Sequence, residues 1–76
     1  MATRIYLNEG TQLDVKSTKK ELRSLIKESA EKERDGIKDN FVEVHCDRMI
    51  DQKCTITPIN TQVDLYTKRI LFFYEI

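Results

Sequence analysis

The chain has 76 residues and sets 13 Lys and Arg against 13 Asp and Glu, a formal net charge of zero with its one His neutral. That length suits one small domain, taken as residues 1–76, and the balanced charge argues against a nucleic-acid clamp or a polybasic membrane anchor, both of which depend on excess cation. A hydrophobic content of 39% excludes an obviously disordered chain, and no apolar run nears the ~20 residues of a membrane-spanning helix or the length of a signal peptide.

The first elements read as a hairpin. Ile5, Leu7, Leu13 and Val15 alternate with polar or amphipathic residues around Asn8-Glu9-Gly10-Thr11, where Gly10 can adopt positive φ. Pairing Leu7 with Leu13 and Ile5 with Val15 puts all four on one face. A helix over about 18–34 follows. Thr18 and Glu21 fit a capping box, Leu22, Leu25, Ile26 and Ala30 keep helical spacing, and Glu28 and Lys32 form an i,i+4 pair. Gly36 supplies the stop, with Arg34 near the negative end of the dipole.

The remainder reads as strand. Val42, Val44 and Cys46 alternate with Phe41, Glu43, His45 and Asp47. A turn centred on Ile50 would set Cys46 opposite Cys54 and Val44 opposite Ile56, facing the core. Short strands over 53–57 and 63–65 flank Pro58 and Asn60, and Ile70–Ile76 closes the order ββαββββ. The predicted fold class is α+β: a small antiparallel sheet with one amphipathic helix packed on one face.

Chemistry finds little support in this pattern. His45, Cys46 and Cys54 lack the Cys-x₂₋₄-Cys spacing of a zinc site, and neighbours on a strand point to opposite faces, so the reading assigns no metal and no cofactor. The two cysteines read as core thiols in a reducing cytoplasm. Glu43, His45 and Asp47 read as a solvated strand face, and two glycines 26 positions apart make no phosphate loop. No catalytic residue is assigned, and the chain is read as a non-enzyme.

Two surfaces remain. Lys16, Lys20, Arg23 and Lys27 recur at helical spacing away from the apolar stripe, which offers an anion or nucleic-acid surface. The last strand is apolar on both sides, with Ile70, Phe72, Tyr74 and Ile76 alternating with Leu71 and Phe73. A sheet covered on one face needs apolar residues on one side only. Tyr6, Phe41, Leu71 and Phe73 are therefore predicted to gather on the uncovered face as a partner-binding patch. The leading expectation is a small cytoplasmic interaction or regulatory module that binds a protein partner or itself as a homodimer. Nucleic-acid binding through the basic helix face is the alternative, and no membrane contact is expected. The abundance of Lys, Glu and Ile resembles that of small accessory proteins of bacteria and their phages, without a family motif beside it.

Overall fold

The structure, a computed structural model, describes residues 2–34 and 41–76. Gly36 lies outside the described residues, as do the side chains of Lys32 and Arg34, on which the expected ion pair and dipole contact depend. The elements are β1 (Thr3–Leu7), β2 (Gln12–Val15), α1 (Lys19–Arg34), β3 (Phe41–Ile50), β4 (Ile56–Tyr66) and β5 (Ile70–Glu75), with a 3-10 turn over Thr67–Arg69. All five strands join one antiparallel sheet in the order β4-β3-β2-β1-β5, and the α+β class is as predicted.

Register is where sequence and structure part. In the first hairpin Ile5 pairs with Leu13 and Thr3 with Val15, two positions from the expected register. A shift of two preserves faces in a period-2 element, so Ile5, Leu7, Leu13 and Val15 still point inward and are buried. The turn closes with the Leu7 N–H donating to the Thr11 carbonyl at 2.8 Å, and Gly10 sits at φ +97°.

The β3–β4 turn is displaced further. Ile50 pairs with Ile56, so the turn spans Asp51–Thr55 rather than centring on Ile50. The Asp51 carboxylate builds it, its Oδ1 accepting from the N–H groups of Lys53 and Thr55 at 2.9 Å each. This separates the cysteines. Cys46 is buried and pairs with Thr61, whereas Cys54 is exposed in the turn at φ +65°, so the expected pair of facing core thiols is corrected to one core thiol and one surface thiol. The strands expected on either side of Pro58–Asn60 are two ladder segments of β4. Pairing lapses between Pro58 and Thr61, where Asn60 takes φ +48°. Pro58, lacking an N–H, is tolerated because β4 is an edge strand.

The short link from β4 to β5 shapes the sheet. These strands occupy opposite edges, about 19 Å apart in a flat five-stranded sheet. Tyr66 also pairs with Phe41 at one end of the long hairpin, while Ile70 pairs with Leu7 near the β1–β2 turn. Only the Thr67–Arg69 turn separates them, and a 3-10 segment advances about 2 Å per residue. The sheet must therefore coil, and the irregularities at Asp14/Val15 and Cys46/Arg48 are where its strands bend. Its inner face gathers Ile5, Leu7, Leu13, Val15, Val42, Val44, Cys46 and Leu65 into one core, to which α1 contributes Leu22 with Leu25 and Ile26 beside it. Each large aliphatic side chain so buried is worth about 1.5–3 kcal/mol of transfer free energy.

The helix begins as its sequence predicts. The Thr18 hydroxyl accepts from the Glu21 N–H at 3.2 Å and donates to the Glu21 carboxylate at 3.1 Å, meeting one otherwise orphaned donor of the first turn. No helix among the described residues is long and apolar enough to cross a membrane.

Candidate interaction surface

Alternation assigns Arg4 and Tyr6 of β1 to the outer face of the sheet, with Gln12 and Asp14 of β2 beside them. The register continues outward on both sides. Arg4 stands opposite Tyr74, Tyr6 opposite Phe72, and Asp14 opposite Arg48. The outer face therefore carries two adjoining rows, one ionic and one aromatic.

Asp14 is the centre of the ionic row. Its Oδ1 accepts from Arg4 Nε at 2.7 Å, and its Oδ2 accepts from Arg4 Nη2 at 3.0 Å and from Arg48 Nε at 2.6 Å. The two guanidinium groups cover it so fully that its side chain is 2% exposed, although it points away from the core. The Arg4 hydrogen bonds hold the Asp14 carboxyl below the usual carboxylate range; desolvation opposes this, and the Arg48 bond adds to it. The same pairing raises Arg4 above its ordinary value, against the opposing effect of burial.

The aromatic row lies at the β5 edge. Tyr6 stacks on Phe72 with ring centroids 4.5 Å apart and on Tyr74 at 5.9 Å, and Phe72 and Tyr74 are 6.5 Å apart and nearly coplanar in tilt. Offset stacks of this kind contribute about 0.5–1.5 kcal/mol per pair beyond burial. The Tyr6 hydroxyl is held above the usual phenol range, chiefly by its hydrogen bond with Tyr74. Phe72 remains 48% exposed and Tyr74 39%, so the stack is surface and not core. Leu71 on this strand and Ile76 just beyond its end add exposed apolar area.

Of the four residues predicted to share this patch, only Tyr6 stands in the aromatic row. Phe73 lies opposite Ile5, and its ring packs against the buried core, which corrects its predicted place on the outer face. Leu71 falls at a bulge, where the pairing steps from Tyr6–Phe72 to Leu7–Ile70, and it is exposed. Phe41 is exposed and packs on Tyr66 of β4 with centroids 5.2 Å apart. Phe72 and Tyr74 were assigned to the wrong face because β5 is apolar on both sides, so alternation alone cannot choose its parity. A usable signal was present: Tyr74 has a polar tip suited to an exposed face, and Phe72 shares its parity.

The alternative surface is as exposed as predicted. Lys20, Arg23 and Lys27 reach solvent from α1, whose Leu22 is fully buried, but Lys16 is corrected from the helix face to the bend after β2, where it is exposed and its N–H donates to the His45 carbonyl at 3.0 Å. Beside them lies an open depression of about 370 Å³ lined by Lys20, Glu21, Ser24 and Leu25. The outer face of β3 and β4 has the opposite sign. Glu43 pairs directly with Asp64, and His45 lies within 3.0 Å of Asn60 Oδ1 and 3.6 Å of Asp47 Oδ1. Among the described residues no three His, Cys, Asp or Glu side chains gather as a metal site. Burial pushes the Cys46 thiol up, and it donates to the Arg48 carbonyl at 3.3 Å.

Compared with protein-family models, curated proteins and solved structures, the chain matches none.

Proposed function

We propose that this chain is a non-catalytic interaction module, acting in the cytoplasm, that binds protein through the aromatic row Tyr6–Phe72–Tyr74 and the β5 edge beside it. The supporting observation is the stack itself: three rings ordered against one another on an exposed sheet face, with Leu71 and Ile76 extending the apolar area. Rigid aromatic groups of this kind supply interface area at low cost in conformational entropy. The charge around them favours a protein over a nucleic acid. Both arginines of the neighbouring row are engaged by Asp14, and Glu43 and Asp64 repel phosphate from the far side of the same face.

The test is Phe72→Asp, with the fold monitored by circular dichroism. Loss of self-association or of partner capture with the fold intact supports the reading. Unchanged association and capture in a folded variant would sink it. The basic helix face is tested in parallel by changing Lys20, Arg23 and Lys27 to Glu. Salt-sensitive binding to single-stranded or double-stranded nucleic acid that this triple change abolishes would transfer the function to α1.

A further inference from the structure

The strand that completes the sheet contributes least to its core. Every buried hydrophobic residue described lies between Ile5 and Leu65, and β5 adds only Ile70 and Phe73, both partly buried. Its backbone pairs with β1 alone among the described strands, from Thr3–Glu75 to Leu7–Ile70. The Ile76 N–H extends that ladder by donating to the Ala2 carbonyl at 3.0 Å. At the other end the Asn8 N–H donates to the Arg69 carbonyl at 2.8 Å, and the Arg69 guanidinium pairs with the Glu9 carboxylate. The link from there back to β4 is one 3-10 turn with extended backbone on either side. Tyr66 lies at φ −74°, ψ 116° and Ile70 at φ −76°, ψ 119°, and the Ile70 N–H donates to the Thr67 carbonyl. In this form the link from Tyr66 to Ile70 advances about 8 Å, which draws the two edges together and coils the sheet. As extended strand the same link spans about 13 Å and makes β4 and β5 continuous.

We propose that β5 is an exchangeable strand. With the Thr67–Arg69 turn straightened, it leaves its own β1 and pairs with β1 of a second copy of the chain, whose β5 returns the exchange. The ladder itself names the occupant. A second copy presents the same Ile70–Glu75 complement, so Arg4 meets Tyr74, Ile5 meets Phe73 and Tyr6 meets Phe72 in unchanged register. The contacts of Arg69 with Asn8 and Glu9 travel with β5 and form again between the chains. What the exchange gives up is the turn, and with it the short tie that holds the two edges of one sheet together. The swap is reciprocal, so the dimer closes on a two-fold axis and every contact occurs twice. Each aromatic row is then built from two chains, Tyr6 from one copy and Phe72 and Tyr74 from its mate. The proposal stands on the hinge and the ladder, and it holds whatever the aromatic row binds.

Thr3 and Glu75 provide the test. Hydrogen-bonded and non-hydrogen-bonded pairs alternate along an antiparallel ladder. The Ala2–Ile76 bond therefore makes Thr3–Glu75 a non-bonded pair, whose Cβ atoms approach closely enough to bridge. Thr3→Cys is made in one preparation of the full chain and Glu75→Cys in another, each with Cys54→Ser to remove the exposed thiol. The two are unfolded, mixed, refolded together at high concentration and oxidised. Thr3 is fully buried, so its replacement thiol meets the other only where strands have exchanged. A disulfide-linked heterodimer with native circular dichroism is the expected product. Light scattering of refolded wild type should show a dimer, its ratio to monomer rising about tenfold for tenfold more protein while it is the minor form. Deleting residues 67–69 leaves Tyr66 and Ile70 one step of about 3.8 Å apart, so that chain should be dimeric at every dilution. Refolded native chains without the linked heterodimer overturn the proposal, as does a wild-type dimer that forms without this linkage. A folded, monomeric deletion variant overturns it as well. The linkage assay keeps the hinge intact, so it decides the question without the deletion.

Discussion

Asp14 shows how far a residue's surroundings can depart from its place in a pattern. By alternation it belongs to a solvated face, and it is nevertheless buried beneath Arg4 and Arg48. Replacing its carboxylate by an amide would leave two guanidinium groups one neutral acceptor oxygen in place of two charged ones, and hydrogen bonds to charged groups are worth about 1.5–3 kcal/mol. Asp14→Asn is therefore expected to destabilise the fold by about 2–3 kcal/mol in chemical denaturation near neutral pH. The pH dependence has a definite sign. The folded-state pKa of Asp14 lies below its unfolded value of about 3.9, so its contribution is complete above that value and is lost as pH falls through the folded pKa. The stability gap between wild type and Asp14→Asn should accordingly close in melts carried out at progressively lower pH. The cysteines make a second residue-scale prediction. Native protein should take up one equivalent of a thiol reagent quickly at Cys54, and the second, at Cys46, only on unfolding. Simultaneous labelling of both thiols in native buffer would contradict the burial of Cys46.

At the scale of the element, β5 separates what a sequence can specify from what it cannot. The helix was legible because Thr18, Glu21 and the Leu22–Leu25–Ile26 spacing all specify one face and one start. The first hairpin was legible in its faces but not in its register. Ile5 can stand opposite Val15 or opposite Leu13 with every face unchanged, and the turn that sets Leu7 against Thr11 with Gly10 at positive φ made the choice. The expected pairing would place Asp14 across from Tyr6, whereas the observed one sets it against Arg4 and so creates the ion-paired row. In β5 every residue from Ile70 to Tyr74 is apolar or aromatic, so hydrophobic patterning carries no parity; pairing with β1 sets it. The result is testable in adjacent positions. Phe73→Asp should bury a carboxylate beside Ile5 and cost about 2–4 kcal/mol or abolish folding, while Phe72→Asp, which loses surface stacking and leaves its carboxylate in solvent, should stay folded and melt clearly above Phe73→Asp. Equal melting temperatures for the two variants would mean the assigned parity is wrong.

For the whole molecule, the coiling of the sheet was the least legible feature. Composition and alternation predicted one helix against an antiparallel sheet, and that is the architecture found. They did not predict that β5 would leave β4 and pair with β1, because no local pattern records which distant strand a segment will join. The information lies in several weak signals acting together: the irregularities near Asp14 and Asp47, the lapse in pairing before Thr61, and the brief Thr67–Arg69 turn. The candidate interaction surface depends on that closure, since Tyr6 comes from β1 and its stacking partners from β5.

The pairing of β1 with β5 also sets an order of events in folding. Ile5 meets Phe73 only after nearly all of the described chain has been brought into place, a contact whose loop-closure cost is met late and rewarded late. Until β5 arrives, β1 is itself an unpaired edge with Arg4 and Tyr6 beside it. An interrupted or partly folded chain would expose that edge, and the step that assembles the aromatic row is the same step that ends the molecule's exposure to misassembly through β1.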